Sequence, residues 1–104
     1  HYLPDYLTNV EKGKDTKSLI AAEGKTRHAE IKRILKEIKP LLNKSKNIPV
    51  IMSGDFNVGS HLDWIDTTKD IHNGRVIKWP VSEEMIKAGF KDSFREMNID
   101  PLKD

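Results

Sequence analysis

The 104 residues carry 18 Lys and Arg against 16 Asp and Glu, a formal excess of +2 that is too small to argue for a polyanionic partner by itself. Apolar residues make up 37 % and charged residues 33 %, in segments with clear periodicity, which excludes global disorder and allows one modest core. Cysteine is absent, so disulfides and thiolate metal sites are excluded, and no apolar stretch approaches the roughly 18 residues that a membrane-spanning helix needs.

The charge is unevenly spread. Residues 1–52 hold 11 Lys and Arg against 6 acids, and residues 53–104 hold 7 against 10. A basic first half fits an anionic partner and an acidic second half fits a cation site. The plainer alternative is a basic helix surface beside acidic loops.

In chain order, Tyr2, Leu3, Tyr6 and Leu7 form an aromatic and apolar opening. Pro4 argues against a continuous strand there, so the reading is a loop or short helical turn after an upstream strand. Residues 11–18 are polar and expected to be exposed. A long helix is predicted from about Leu19 to Leu42, with a buried stripe at Ile31, Ile34, Leu35, Ile38, Leu41 and Leu42. Glu23/Arg27 and Arg33/Glu37 are spaced for surface pairing along it, and Lys32, Lys36 and Lys39 for its wet face. Gly24 weakens its first part, so a start after Gly24 is the alternative, and Pro40 should kink or end it.

After a loop, Ile48 to Ser53 reads as the best strand in the chain, buried on both faces. Helix, loop and buried strand together predict a layered α/β arrangement. From Asn57 to Pro80 there is no clean period. Ser60 can cap a short turn over Leu62 to Ile65, Asn73-Gly74 marks a turn, and Arg75 to Trp79 is a brief strand or extended loop. Ser82-Glu83-Glu84 opens a short helix that Gly89 stops, and Phe90 to Phe94 enters another strand.

Chemistry concentrates at Ser53-Gly54-Asp55-Phe56-Asn57. Two positions apart on an extended chain, the Asp55 carboxylate and the Asn57 carboxamide point to one side, with Phe56 anchoring the tip from the other. Such groups orient water, a hard cation and a phosphoryl oxygen. An Asp-x-Asn after glycine is also the signature of a simple Asx turn. An EF-hand is excluded, because Gly59 and Asp66 stand where its loop wants an oxygen ligand and a bidentate Glu. His61, Asp63, Asp66 and Asp70 offer a second cation site or, more plainly, a solvated acidic turn. Trp64 and Trp79 either line a substrate entrance or pin an irregular loop. Asp92 and Arg95 suit a structural hydrogen-bonded pair, and His72, before a turn, is expected to be exposed and without a role.

At SGDFN the chain resembles the endonuclease/exonuclease/phosphatase superfamily, the DNase I-like metal-dependent phosphoesterases. The likeness continues through Ser60-His61-Leu62-Asp63-Trp64, Trp79-Pro80-Val81-Ser82 and Gly89-Phe90-Lys91-Asp92-Ser93-Phe94-Arg95, with His1, Arg27 and Glu30 matching upstream. It implies that residues 1–104 are the central part of one such domain, a four-layer α/β sandwich of two packed sheets with outer helices. It implies a Mg²⁺-dependent hydrolase (Mn²⁺ or Ca²⁺ being alternatives) acting as nuclease, phosphodiesterase or phosphatase on a phosphate ester, nucleic acid among the candidates. In that resemblance Asp55 and Asn57 hold the metal and the attacking water, and His1 contacts phosphate. The implied protein is monomeric, of a bacterial, secreted or periplasmic branch. The family's metal-binding Glu would lie upstream of position 1 and its later Asp and Asp-His pair downstream of position 104, leaving this stretch inactive alone. The competing reading is a noncatalytic binding module on the same scaffold.

Overall fold

A computed structural model describes residues 6–103. Five α-helices follow one another: α1 (Tyr6–Glu11), α2 (Thr16–Gly24), α3 (Arg27–Leu42), α4 (Pro80–Lys87) and α5 (Ser93–Met97), with a 3-10 helix (Asp66–His72) between α3 and α4. No strand occurs among the described residues, so the molecule is a small all-α domain. The predicted α/β sandwich is overturned.

The physical reason lies in Ile48 to Ser53. This run is apolar on both faces but meets no second strand among the described residues, and Pro49 offers no N–H to a ladder. It is irregular chain, with Ile48 66 % and Ile51 88 % exposed. Phe90 to Phe94 is not a strand either. Asp92 stops it by accepting the Arg95 backbone N–H at 3.0 Å, which caps α5.

The predicted long helix is two. Asp15 takes the Ser18 N–H at 2.9 Å and the Ser18 hydroxyl at 2.7 Å, starting α2 inside the stretch expected to be loop. The chain turns at Lys25 and Thr26, whose N–H groups donate to Ala22 and Glu23 carbonyls, and α3 restarts at Arg27. Pro40 does not end α3, which runs two residues beyond it. Of the predicted stripe, Ile31 is buried, Leu35, Ile38 and Leu42 are half-buried, and Ile34 and Leu41 are exposed. Lys32, Lys36 and Lys39 face solvent.

α3 packs chiefly on α4, where His28 Nε2 meets Glu84 Oε1 at 3.1 Å. The core is Val10, Leu19, Trp64, Ile77 and Trp79, ringed by Tyr6, Ile20 and Val58. Tyr6, Trp64 and Trp79 meet edge-on or tilted, with centroids 5.0–6.3 Å apart. The two tryptophans therefore pin the irregular segment 59–79 onto α1 and α2. No helix among the described residues is long and apolar enough to cross a membrane.

Candidate functional site

Asp55 and Asn57 lie in the exposed turn after the extended run. Asp55 Oδ1 accepts the Asn57 backbone N–H at 2.8 Å, and Asn57 Nδ2 donates to the Asp55 carbonyl at 3.3 Å. Asn57 stands in the left-handed region at φ 54°, which asparagine tolerates better than most residues. The geometry is thus an Asx turn, and the expected strand-end alternation is not what brings the two side chains close. Phe56 does not anchor in the core; it is 37 % exposed.

The turn forms one wall of a groove of about 280 Å³. The other wall is the α3 face carrying Arg27, Glu30, Ile31 and Ile34, residues spaced to share one side of a helix. Across residues 52–56 a second groove of about 330 Å³ is lined by Met52, Phe56, Leu62, Met85 and Phe90, with Ser82 at its wall.

Arg27 is held from behind. Its Nη1 donates to Glu23 Oε1 at 2.6 Å, and both residues are buried, so the pair is not the surface interaction that its spacing suggested. Burial pushes the Glu23 carboxyl up, opposed by the neighbouring Arg27 charge. Its Oε2 is buried without a hydrogen-bond partner among the described residues.

His61 and Asp63 do not form a cation site with Asp66 and Asp70. Ser82 Oγ accepts the His61 N–H at 2.8 Å and lies 2.7 Å from His61 Nδ1, tying the 59–65 loop to α4. Burial holds the His61 imidazole below its ordinary pKa, against the pull of Glu83 and Asp63. Asp63 takes Arg95 Nε at 2.5 Å, and Asp66 takes Lys69 Nζ at 3.0 Å. Asp92 and Arg95 do meet, but through the Arg95 backbone N–H, since the guanidinium goes to Asp63 and to the Asn98 carbonyl. His72 is half-buried, its ring stacked on Trp64 at 4.1 Å and 8°. Among the described residues no three His, Asp or Glu side chains converge as a metal-holding group. His1, the third predicted site residue, lies outside the described residues, as does Tyr2.

Sequence reasoning missed that Arg27 and the Asp55 turn line one groove, and it missed the Ser82–His61 tie. Neither carries a periodic signal, because each joins segments far apart in the chain.

Comparison with known proteins adds one relative. Over 88 residues the chain is 38 % identical to Uncharacterized protein F14F9.5 of Caenorhabditis elegans, a match covering 83 % of this chain and 28 % of that protein. No family model matches the chain. No solved structure matches it either. The chain therefore spans little more than a quarter of the relative it matches.

Proposed function

We propose that this chain supplies part of the site of a metal-dependent phosphoester hydrolase, with Asp55 and Asn57 as oxygen donors to Mg²⁺ and its water. The observation that carries the reading is that both side chains line one open groove beside Arg27 and Glu30. A carboxylate and a carboxamide are hard oxygen ligands, and Mg²⁺ is commonly held by one or two carboxylates while keeping several waters. The donor set fits that cation in part. Asp55 Oδ1 is engaged by Asn57, which leaves the second carboxylate oxygen as donor, and further protein ligands would come from residues beyond those described. When bound, the ion would offset charge on the phosphoryl oxygens and lower the pKa of its water.

The likeness at SGDFN supports the same chemistry as a motif, without the sheet architecture that goes with it in that family. Carried over from that likeness, His1 is a phosphate contact, and a Glu upstream with an Asp and an Asp-His pair downstream complete the machinery.

The test is hydrolysis by the intact polypeptide of an aryl phosphodiester, a phosphomonoester and a short DNA duplex, with Mg²⁺, Mn²⁺, Ca²⁺ or chelator. Metal-dependent turnover of at least one ester is expected. Asp55→Asn should lower it at least about a hundredfold, with an unchanged circular dichroism spectrum. Turnover in Asp55→Asn equal to that of the wild type would overturn the assignment. Absence of turnover by the wild type on all three esters would favour the noncatalytic binding module instead.

A further inference from the structure

Residues 52–56 wall two grooves at once. Met52, Ser53, Gly54, Phe56 and Val81 line both the groove of Asp55 and Asn57 and the second groove of about 330 Å³. A molecule seated at Asp55 thus has the second space as its neighbour across this short run.

Local chemistry fixes the far walls of the second groove. Gly89 takes φ 97° at the end of α4 and turns the chain back, so that the Phe90 N–H donates to the Met85 carbonyl at 3.1 Å. Phe90 is thereby set beside Met85. The His61 N–H donates to Ser82 Oγ at 2.8 Å, which holds the loop carrying Leu62 to α4. Methionine is unbranched and adapts to a flexible apolar guest, and the groove has one at each side, Met52 and Met85. Its charged lining residues, Lys91 and Asp92, offset one another, and Asp92 already accepts the Arg95 N–H at 3.0 Å. The volume lies at the lower end of the range typical of small-ligand sites.

Charge then separates the candidate substrates. In the first groove the Arg27 charge is met by Glu23, which leaves the carboxylates of Glu30 and Asp55. Such a lining takes one phosphate together with its divalent cation and repels a run of phosphates. The second groove, without net charge, gives a further phosphate no counter-charge. It suits an apolar arm, whose removal from water is favourable.

We propose that the groove of Met52, Phe56, Met85 and Phe90 holds the apolar arm of the ester. The substrate class is then an amphiphilic phosphoester, one phosphate carrying an alkyl or aryl chain, in preference to a nucleic acid strand. This inference rests on the phosphoester reading above.

The experiment has a binding arm and a turnover arm, both on the full-length polypeptide with Mg²⁺. Octylphosphonate and methylphosphonate, whose carbon–phosphorus bonds resist hydrolysis, are titrated and read by ³¹P line width. Full burial of one methylene is worth roughly fourfold in affinity, so even partial burial of the chain should favour octylphosphonate by about tenfold or more. Met85→Gln should reduce that preference at least about threefold. Phe56→Gln, at a side chain already 37 % exposed, should do the same and serves if Met85→Gln fails to fold. Leu102→Gln, at an exposed position beyond α5, should leave the preference alone. In turnover, kcat/KM should rise from methyl to octyl 4-nitrophenyl phosphate, and the octyl ester should exceed a short DNA duplex. Octyl and methyl probes within twofold of each other overturn the proposal. So do a preference that survives in both Met85→Gln and Phe56→Gln, and a duplex cleaved faster than the octyl ester. The two readings fail separately. Hydrolysis lost in Asp55→Asn but indifferent to chain length removes this inference alone. Octylphosphonate binding that depends on Met85, with no ester hydrolysed, removes the hydrolase reading and keeps the groove as the apolar-arm site.

Discussion

Two positions show how single atoms decide local structure. A Cβ on Gly59 would stand 2.5 Å from Trp64 Nε1 and 3.0 Å from Trp79 Nε1. Those indoles are buried and meet edge to face at 5.3 Å, so neither can yield without opening the core. Gly59→Ala is expected to destabilise by about 1–3 kcal/mol in urea unfolding; an unchanged midpoint would show that the indoles can move. His72 acts through its stack on Trp64. Burial lowers the pKa of His72 and of His61, so the folded chain binds fewer protons than the unfolded one just below their ordinary value of 6.5. Their contribution is full above that value and is lost as the pH falls through it toward the folded-state values. Glu23 has the opposite sign: its raised pKa favours folding below the ordinary 4.5 and loses that contribution as the pH rises through the folded value. His72→Phe keeps a stacked ring and removes one proton site. It should shrink the drop in melting temperature between about pH 7.5 and pH 5.5 expected from histidine burial; a drop as steep as in wild type would assign the effect elsewhere.

At the scale of elements, Pro40 is the clearest conflict between local chemistry and the helix that contains it. It lies inside α3, so the Lys36 carbonyl receives no N–H from residue 40. Exposure of that turn lets water take the carbonyl, which is why the helix survives. Pro40→Ala restores the donor and should stabilise by up to about 3 kcal/mol, less whatever the last turn loses to fraying. A lower midpoint would mean that the ring itself contributes packing. α3 and α4 were legible beforehand because their signals are local: the Ile31, Leu35, Ile38 spacing in one, Glu83 and Gly89 in the other. The 3-10 helix was not, because it hangs on the buried Thr68 hydroxyl, which reaches the Asp63 and Ile65 carbonyls and accepts the Ile65 N–H. Hydrophobicity at Ile48 to Met52 signals a wish for burial but cannot supply the partner strand, so the strand prediction failed there. The closeness of Asp55 and Asn57 was readable from their spacing. Its form as an Asx turn was one of the two readings that the Asp-x-Asn spacing offered; its groove wall on α3 was not legible, since Arg27 is 28 positions away in the chain.

For the molecule as a whole, the amount of surface is the telling quantity. The chain exposes 7691 Å², where a compact monomer of 11.9 kDa exposes about 6,000 Å². Its radius of gyration is 14.8 Å against about 13 Å for a compact domain of this length. Part of the exposed surface is apolar, and two groups of apolar side chains stand close in sequence. Ile48 and Ile51 stand out on the extended run, and Met97, Ile99 and Leu102 stand out around and beyond the end of α5, with Ile99 85 % exposed. Isolated exposed apolar residues are ordinary, but two groups on a chain with so small a core invite association. The 104-residue chain by itself is therefore expected to bind an anilinonaphthalene dye and to sediment as a concentration-dependent mixture. Ile51→Lys combined with Ile99→Lys should reduce both signals. It should leave the unfolding midpoint almost unmoved, within about 0.5 kcal/mol, because neither side chain is packed in the core. Dye binding and self-association that persist in the double variant would place the adhesive surface elsewhere, in the Met52, Phe56, Met85 and Phe90 groove. A wild-type chain that is monomeric and dye-silent would mean that these apolar groups bury one another in solution.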